Sequence, residues 1–565
     1  MSLFENIKQL HQAELYGDLK LVASLVLSLS ENNPDADVLS FPQKYQCQVY
    51  YGDALFHQGE YKKAEVIYRK SLQLKKAINK TKGKHGSPAD VSSEVEVKFK
   101  LYQCLDHLKR TAEALNVLES ISTKQRTAKV NLALAKLNLR EGRDRSAMTC
   151  YKEVVREQPL ALDAAVGLLS LGMKGADVAS LITNNLPHGT NVEWLHGWLK
   201  GHAQLAAKEY TTAVSTFRNM EKKTCLRDNV QLLNCVGEAM FYDGRYADAM
   251  SVFQRVHSLD PLCMKNMDLF AYLLSQECKV SALSQLSQKL MGISESCAEP
   301  WIAMGYYSML NFVKSKERSV RAVYFAQKAY TVDPRSIQAL LLKASSLLDL
   351  KKLHDATLHY LEAVRLAPHR FEAYSGLIEC YLTTHRIKDG LTWASRMIRT
   401  LGNSARTFTL YASVLSKDSN TVAKAEPYLL KAIEMDPSYL EAVYILADII
   451  AQGPDHQRGI KFFVIFPRIQ QHLISHNTAR LHQILGDFLA LASRHQEAMD
   501  EYSITLTMQP FNKRAQDGMQ RLEKHNEGGL ENSYDVEVEM GGSDNDDADF
   551  EGSDMESTWS ETDFS

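Results

Sequence analysis

In four well-separated segments of the chain, a small residue is followed four positions later by an aromatic residue and twelve positions later by proline. The members of this pattern are Ala147, Tyr151 and Pro159; Ala249, Phe253 and Pro261; Ala356, Tyr360 and Pro368; and Ala498, Tyr502 and Pro510. A spacing of four places the small and aromatic residues on one face of an α-helix. Because proline cannot continue a helix, each segment predicts a helix that packs through this face and ends before the proline.

A preceding helix with a central glycine is predicted for several of these segments. An interval of twelve residues separates three glycine–alanine pairs, which are Gly52 and Ala64, Gly237 and Ala249, and Gly486 and Ala498. Two small residues at a helix crossing let the backbones approach closely, while larger residues fill the flanks. Each unit is therefore predicted to be a helical hairpin.

The hairpins recur with a fixed period. Pro334 and Pro368 are 34 residues apart, and Pro159 and Pro261 are 102 residues apart, which is three such periods. A helical hairpin of 34 residues is the tetratricopeptide repeat, or TPR. The chain is predicted to be all-α, with about fourteen hairpins up to residue 512 that form a right-handed superhelix with a concave, partner-binding groove.

The first hairpin is predicted from the same offsets. Gly17, Val22, Val26 and Pro34 are spaced like the turn glycine, small residue, aromatic residue and proline of the repeat that contains Ala249. This alignment places Val22 and Val26 on the packing stripe.

Three segments depart from the repeat. Residues 75–98 are polar and rich in glycine, which predicts a disordered loop. About five additional residues lie between Ala303 and Ala322, which predicts a longer turn between two helices. In residues 459–477, Pro467 falls in the middle of an expected second helix, so this repeat is irregular.

These features divide the chain into four predicted regions. Residues 1–190 form an N-terminal TPR array with a dimerisation surface, and residues 191–512 form a C-terminal TPR array. Residues 513–530 are predicted to be a polar capping helix. Residues 531–565 carry 13 acidic and no basic side chains, which predicts a disordered acidic tail.

Charge and motifs argue against several function classes. The net charge is −3, and without the acidic tail the remaining chain carries +10, with no Arg-rich stripe of the kind that binds nucleic acid. The apolar segment 19–30 is too short to span a bilayer. The common phosphate-binding and nucleophile motifs are missing from the sequence. We expect no catalytic activity, cofactor, metal, membrane, nucleic acid or small-molecule substrate.

Nine cysteines without a C-x-x-C pair indicate a reducing compartment, here the nucleus and cytoplasm. Cys104, Cys150 and Cys235 are interpreted as small core residues. His472 and His476 have zinc-like spacing, but Leu473 replaces the glutamate of metalloproteases, so they are interpreted as surface residues.

Three serines are candidate phosphorylation sites. Ser87 precedes proline, and Ser543 and Ser553 each have an acidic residue three positions later. The two-residue motif at Ser87 could equally well occur by chance. The acidic residues near Ser543 and Ser553 could equally well serve only to keep the chain soluble.

Two surfaces are predicted to bind partners. In the groove, the candidates are Asn234, Glu238 and Tyr242 on the first helix of a hairpin. At the N-terminus, the apolar segment 19–30 has too many apolar sides for one neighbouring hairpin to cover. We expect homodimerisation there, through Leu21, Leu25 and Leu27.

Three segments of the sequence resemble a known protein family more specifically than the repeat spacing alone does. Residues 41–76 (FPQKYQCQVYYGDALFHQGEYKKAEVIYRKSLQLKK), residues 191–221 (NVEWLHGWLKGHAQLAAKEYTTAVSTFRNME) and the acidic end resemble the subunit-seven family of the anaphase-promoting complex. The resemblance covers nearly the whole chain. The sequence departs from the family pattern at residues 459–477, where the family is expected to have a regular helix.

The resemblance implies a non-catalytic scaffold of a multisubunit ubiquitin ligase that drives mitotic exit by marking cyclins and securin for degradation. It also implies a homodimer stacked on sibling TPR subunits. Two alternatives remain from the residues alone. One is a co-chaperone or trafficking adaptor that binds peptides in its groove, and the other is the regulatory arm of a TPR-bearing enzyme.

Overall fold

The fold is an array of helical hairpins. A computed structural model describes residues 2–32, 39–81, 91–186, 193–223, 226–311, 315–418, 420–437, 439–452 and 479–527. Within these ranges there are 28 α-helices, a 3₁₀ helix at Thr123–Gln125 and no β-strand. The chain forms two compact units, Met1–Gly402 and Asn403–Ser565. The prediction of an all-α fold is confirmed.

The first unit consists of eleven consecutive hairpins, each made of an odd-numbered and the following even-numbered helix. Its helices are α1 (Leu3–Gln12), α2 (Tyr16–Asn32), α3 (Phe41–His57), α4 (Tyr61–Thr81), α5 (Glu94–His107), α6 (Thr111–Glu119), α7 (Ala128–Arg140), α8 (Asp144–Glu157), α9 (Leu162–Ser170), α10 (Gly175–Thr183), α11 (Glu193–Ala206), α12 (Tyr210–Lys223), α13 (Val230–Asp243), α14 (Tyr246–Leu259), α15 (Met267–Gln276), α16 (Val280–Ile293), α17 (Ala298–Asn311), α18 (Ser315–Val332), α19 (Ile337–Asp349), α20 (Leu353–Leu366), α21 (Phe371–Thr383) and α22 (Ile387–Leu401).

The second unit contains six described helices. They are α23 (Ala405–Leu415), α24 (Val422–Met435), α25 (Leu440–Ala451), α26 (Ala479–Leu491), α27 (His495–Met508) and α28 (Lys513–Glu527). Helix α28 lies where the capping helix is predicted, and it buries Ala515 and Leu522 against the last hairpin.

The repeat pattern specifies a close contact inside a hairpin. Ala249 and Phe253 are both fully buried. A methyl group added at Gly237 would lie 2.7 Å from the ring of Phe253, so the glycine on the first helix makes room for the aromatic ring on the second. Gly237 thus faces the aromatic residue of the second helix, and the predicted close approach of Gly237 to Ala249 stays a prediction.

The turn inside most hairpins contains one residue in the left-handed backbone region. These residues are Glu14, Gly59, Lys109, Gly142, Gly172, Lys208, Gly244, Cys278, Lys351, His385 and Ser493. Gly244 lies five residues before Ala249, and Glu14 lies five residues before Leu19. The first hairpin is therefore displaced by three residues from its prediction.

This displacement changes the packing stripe of α2. Gly17 lies inside the helix, and Val22 is only partly buried. The prediction was wrong because Glu14, which is not a glycine, forms the turn.

The predicted disordered loop at 75–98 is largely corrected. Helix α4 continues to Thr81 and α5 begins at Glu94, so only residues 82–90 fall outside the described ranges. Lys75 Nζ donates to the Ser92 carbonyl (3.1 Å), and the Ser92 amide donates to Gln46 Oε1 (2.8 Å). These bonds attach the end of the segment to the second hairpin.

The additional residues before Ala322 are mostly helical. Helix α18 begins at Ser315, seven residues before Ala322, whereas α14 begins at Tyr246, three residues before Ala249. The insertion thus adds about one turn to the second helix, and the predicted lengthening of the inter-helix turn is corrected.

Several predictions fall outside the described residues. These are the irregular segment 459–477 with His472 and His476, the acidic tail, and the serines Ser87, Ser543 and Ser553. The predicted boundary at residue 190 lies within 187–192, which is also outside, and it stays a prediction. Among the described helices, none combines the length and apolar character needed to cross a membrane.

Candidate interaction surfaces

Helix α13 carries the three residues predicted to face the groove. Asn234 is fully buried, and its Nδ2 donates to Cys263 Sγ at 3.3 Å. Every residue from Leu232 to Gly237 is buried between neighbouring helices. Asn234 is therefore out of reach of a partner, and its predicted role in groove contact is corrected.

Glu238 and Tyr242, one turn apart on α13, line a cavity of about 270 Å³ in the first unit. The walls come from α9, α11, α12, α13 and α19, and from the end of α20 and the turn that follows it. Its polar lining consists of Ser170, His202, Lys208, Tyr210, Glu238, Tyr242, His369 and Arg370. Two of the three predicted groove residues thus meet at one cavity, and their contact with a partner stays a prediction.

Burial shifts the pKa of several ionisable groups that line this cavity. Burial raises the pKa of the Glu238 carboxyl, although Lys265 opposes the shift. Burial lowers the pKa of His202 to about 4, so its imidazole is neutral at pH 7. Burial also raises the pKa of Tyr242 to about 12, against the effect of Arg370. Charged forms are disfavoured here unless they are paired.

Arg370 supplies the paired charge. It is only 5% exposed, donates from Nε to Glu372 Oε2 (3.0 Å) and from Nη2 to Gln338 Oε1 (2.7 Å). Its guanidinium also lies over the rings of Phe241 and Tyr242, at 5.1 and 5.4 Å from the ring centres. The sequence analysis missed this residue, for which the available signal was an arginine two positions after a repeat-ending proline, Pro368.

Helix α2 presents a stripe of exposed leucines. Leu21, Leu25 and Leu29 are 62%, 58% and 54% exposed, at the four-residue spacing of one helix face. The buried side of the helix consists of Leu19, Ala23, Val26 and Leu27. Leu27 therefore belongs to the core because of the three-residue displacement, and its predicted role in dimerisation is corrected. We call Leu21, Leu25 and Leu29 the leucine stripe.

A buried carboxylate anchors the N-terminal helix α1. Asp53 Oδ2 accepts hydrogen bonds from His11 Nε2 (2.9 Å) and Lys100 Nζ (2.8 Å), and Oδ1 accepts one from the Tyr68 hydroxyl (2.6 Å). Burial alone would raise the pKa of Asp53, but the bonds from His11 and the charge of Lys100 hold it below its ordinary value. This network joins α1, α3, α4 and α5.

The cysteines predicted to be core residues are buried. Cys104, Cys150 and Cys235 are at most 8% exposed, and burial raises the pKa of Cys104 and of Cys235 to about 12. Such thiols stay protonated and unreactive. In the described part of the chain, no three His, Cys, Asp or Glu side chains are grouped so as to hold a metal ion.

Comparison with known proteins decides the family. The human protein named anaphase-promoting complex subunit 7 is 37% identical, over 98% of this chain and 98% of its own length. The chain belongs to the anaphase-promoting complex subunit 7 family. The subunit 7 of Arabidopsis thaliana is 26% identical over 93% of this chain and 94% of its own length. No family model matches the sequence.

A more distant relative and a solved structure extend the comparison. Subunit 8 of the complex from Dictyostelium discoideum is 23% identical over 36% of this chain and 32% of its own length. The crystal structure of the APC/C hetero-tetramer Cut9-Hcn1 aligns with a TM-score of 0.57 at 16% identity, over 91% of this chain and 95% of the other. That likeness supports the fold.

The resemblance to the subunit 7 family is confirmed over the segments that indicated it. The matches to the human and Arabidopsis subunit 7 proteins extend over almost the whole chain. Subunit 7 membership therefore rests on the array as a whole and not on one repeat.

Proposed function

We propose that the chain is a non-catalytic scaffold that binds its partners through faces of the TPR array. The observation that carries the scaffold role is the match to subunit 7 over 98% of both chains, which makes this chain a scaffold subunit of the anaphase-promoting complex. A stack of hairpins offers long surfaces with several exposed helices, which suits simultaneous binding of several proteins. Sibling TPR subunits are the expected neighbours.

The lack of catalysis is tested with the purified full-length chain. Incubated with ubiquitin, activating enzyme and a ubiquitin-charged conjugating enzyme, it is expected to leave the rate of ubiquitin discharge unchanged. The anaphase-promoting complex purified from the same cells serves as the positive control. Acceleration by the chain alone, retained through further purification, would contradict a purely structural role.

The partner proposed for the leucine stripe is a second copy of the chain. Burying a leucine contributes about 1.5–3 kcal/mol, so three per copy provide a substantial apolar contact. A two-fold arrangement places the same stripe on both sides and closes the interface. The buried opposite side of α2 leaves the stripe as the free face of this helix.

Sedimentation of the full-length chain tests the dimer. At about 10 μM the unmodified chain is expected to have twice the single-chain mass of 63.7 kDa. The Leu21→Glu/Leu25→Glu variant is expected to be monomeric. Leu358→Glu, at a leucine that is 53% exposed on α20, is the matched control and should stay dimeric. A dimer that survives the double substitution rules out this surface.

The proposed location is the nucleus and cytoplasm, in keeping with the free cysteines of the described residues, most of which are buried. Imaging of the chain tagged at its own locus tests this, and accumulation in a secretory compartment would contradict it.

A further inference from the structure

Arg370 connects hairpins that are far apart in the sequence. It lies in the turn between α20 and α21 and contacts Gln338 on α19 and Glu372 on α21. Its guanidinium also covers Phe241 and Tyr242 on α13. One buried side chain therefore joins the seventh, tenth and eleventh hairpins.

A second hydrogen bond joins the seventh hairpin to the eleventh. The Tyr246 hydroxyl, at the start of α14, donates to Glu372 Oε1 at 2.7 Å, across 126 residues of sequence. Glu372 thus accepts from Arg370 with one oxygen and from Tyr246 with the other. These contacts therefore join α13 and α14 to α19 and α21, although up to six helices, α15 to α20, lie between them in the sequence.

The partners of Arg370 are themselves fixed. Gln338 is 2% exposed, and its Nε2 donates to the Tyr306 hydroxyl at 2.6 Å while its Oε1 accepts from Arg370. An arginine guanidinium stays charged, and its planar fork suits a carboxylate, an amide oxygen and aromatic faces together. The surroundings therefore have the composition of a guanidinium-binding pocket.

Little space remains beside this pocket. The adjoining cavity measures about 270 Å³, below the roughly 300–1,000 Å³ of typical small-molecule sites. Residues 367–370 of the turn after α20 line this cavity, so an extended peptide that entered it would have to displace the turn that carries Arg370.

We propose that Arg370 is an internal ligand, which fills a guanidinium-binding pocket formed by Phe241, Tyr242, Gln338 and Glu372 and holds the concave face of the first unit closed. Partners of the scaffold then bind other faces of this unit while the pocket is filled. A peptide adaptor that uses this part of the groove is correspondingly disfavoured.

Hydrogen exchange of the full-length chain tests the proposal with Arg370→Ala. Amides of α13 and of α21 are both expected to exchange about tenfold faster, because the substitution removes the link between them. Arg365→Ala is the matched control, since Arg365 is exposed and its ion pair within the described residues is with Glu362 on its own helix. It should leave both helices unchanged.

Chemical rescue identifies the pocket. Millimolar N-ethylguanidinium is expected to restore protection of α13 and α21 in Arg370→Ala and to have no effect on Arg365→Ala. Protection that is unchanged in Arg370→Ala, or a loss that the guanidinium compound does not reverse, overturns the proposal.

A milder substitution covers the case in which Arg370→Ala does not fold. Tyr246→Phe removes only the hydroxyl that donates to Glu372. It is expected to accelerate exchange in α14 and α21 together, and acceleration in α14 alone would overturn the cross-groove link.

Discussion

At the scale of single residues, a close contact of the repeat joins a glycine to an aromatic ring. Gly237→Ala places a methyl group 2.7 Å from the fully buried ring of Phe253, so the ring would have to shift within the core. We expect the free energy of unfolding to fall by about 1–3 kcal/mol, measured by urea denaturation. Gly292→Ala, with no atom near the added methyl group, is the control. It should be neutral or stabilising by up to about 1 kcal/mol.

Two aspartates allow a matched comparison of buried charge. Asp53 and Asp487 each accept a hydrogen bond of 2.6 Å from a tyrosine fifteen residues later. The pKa of Asp487 is raised by burial, whereas His11 and Lys100 overcome burial and lower the pKa of Asp53. Asp53→Asn is therefore expected to destabilise the fold at pH 7, and Asp487→Asn to have a smaller or opposite effect.

The pH dependence of the fold's stability follows from the direction in which folding shifts the pKa of Asp53. With its pKa lowered by folding, Asp53 stabilises the protein above the ordinary value of about 3.9, and this stabilisation is lost as the pH falls through the lower folded value. Thermal unfolding between pH 7 and pH 3 should show a smaller acid-induced loss for Asp53→Asn than for the unmodified chain. Equal losses would contradict the account of the network.

Sequence reasoning reached only part of these residue-level features. The aspartate–tyrosine spacing repeats in the sequence and could have been found. The contribution of His11 and Lys100 could not, because each comes from a helix whose distance from Asp53 depends on packing.

At the scale of helices, the end of the array depends on α28. Gly518 of α28 faces the Tyr502 ring, where an added methyl group would lie 2.7 Å away, and Ala515 and Leu522 are buried. Ending the chain after Asn512 exposes this contact and should lower the melting temperature of the second unit. Ending it after residue 530 should leave the melting temperature unchanged, because the acidic tail has too little apolar surface to order itself. Equal effects of the two truncations would contradict the capping role of α28.

The helices also show where sequence reasoning fails. The hairpins around Ala249 and Ala498 are placed correctly because glycine, small and aromatic residues recur at fixed offsets. The first hairpin is misplaced by three residues because Glu14 takes the left-handed turn position, for which glycine was the expected signal. That shift moved Leu27 into the core and left Leu29 on the leucine stripe.

At the scale of the whole molecule, the fold and the family were both accessible from the sequence. The period of 34 residues defines the array, and local phrases define the family. The contacts around Arg370 could not be predicted from the sequence. Tyr246 and Glu372, which take part in them, are 126 residues apart and belong to different repeats. The groove prediction consequently included Asn234, which is buried, and omitted Arg370, which fills the space.

The most direct measurement of the central claim is the composition of the assembly that the chain forms in its own cells. The full-length chain is tagged at its own locus and purified, and the co-purifying proteins are quantified by mass spectrometry. We predict the other subunits of the anaphase-promoting complex, including its TPR subunits, in fixed proportion, with two copies of this chain per complex. Recovery of chaperones or unrelated adaptors as the main partners, without subunits of that complex, would contradict the claim.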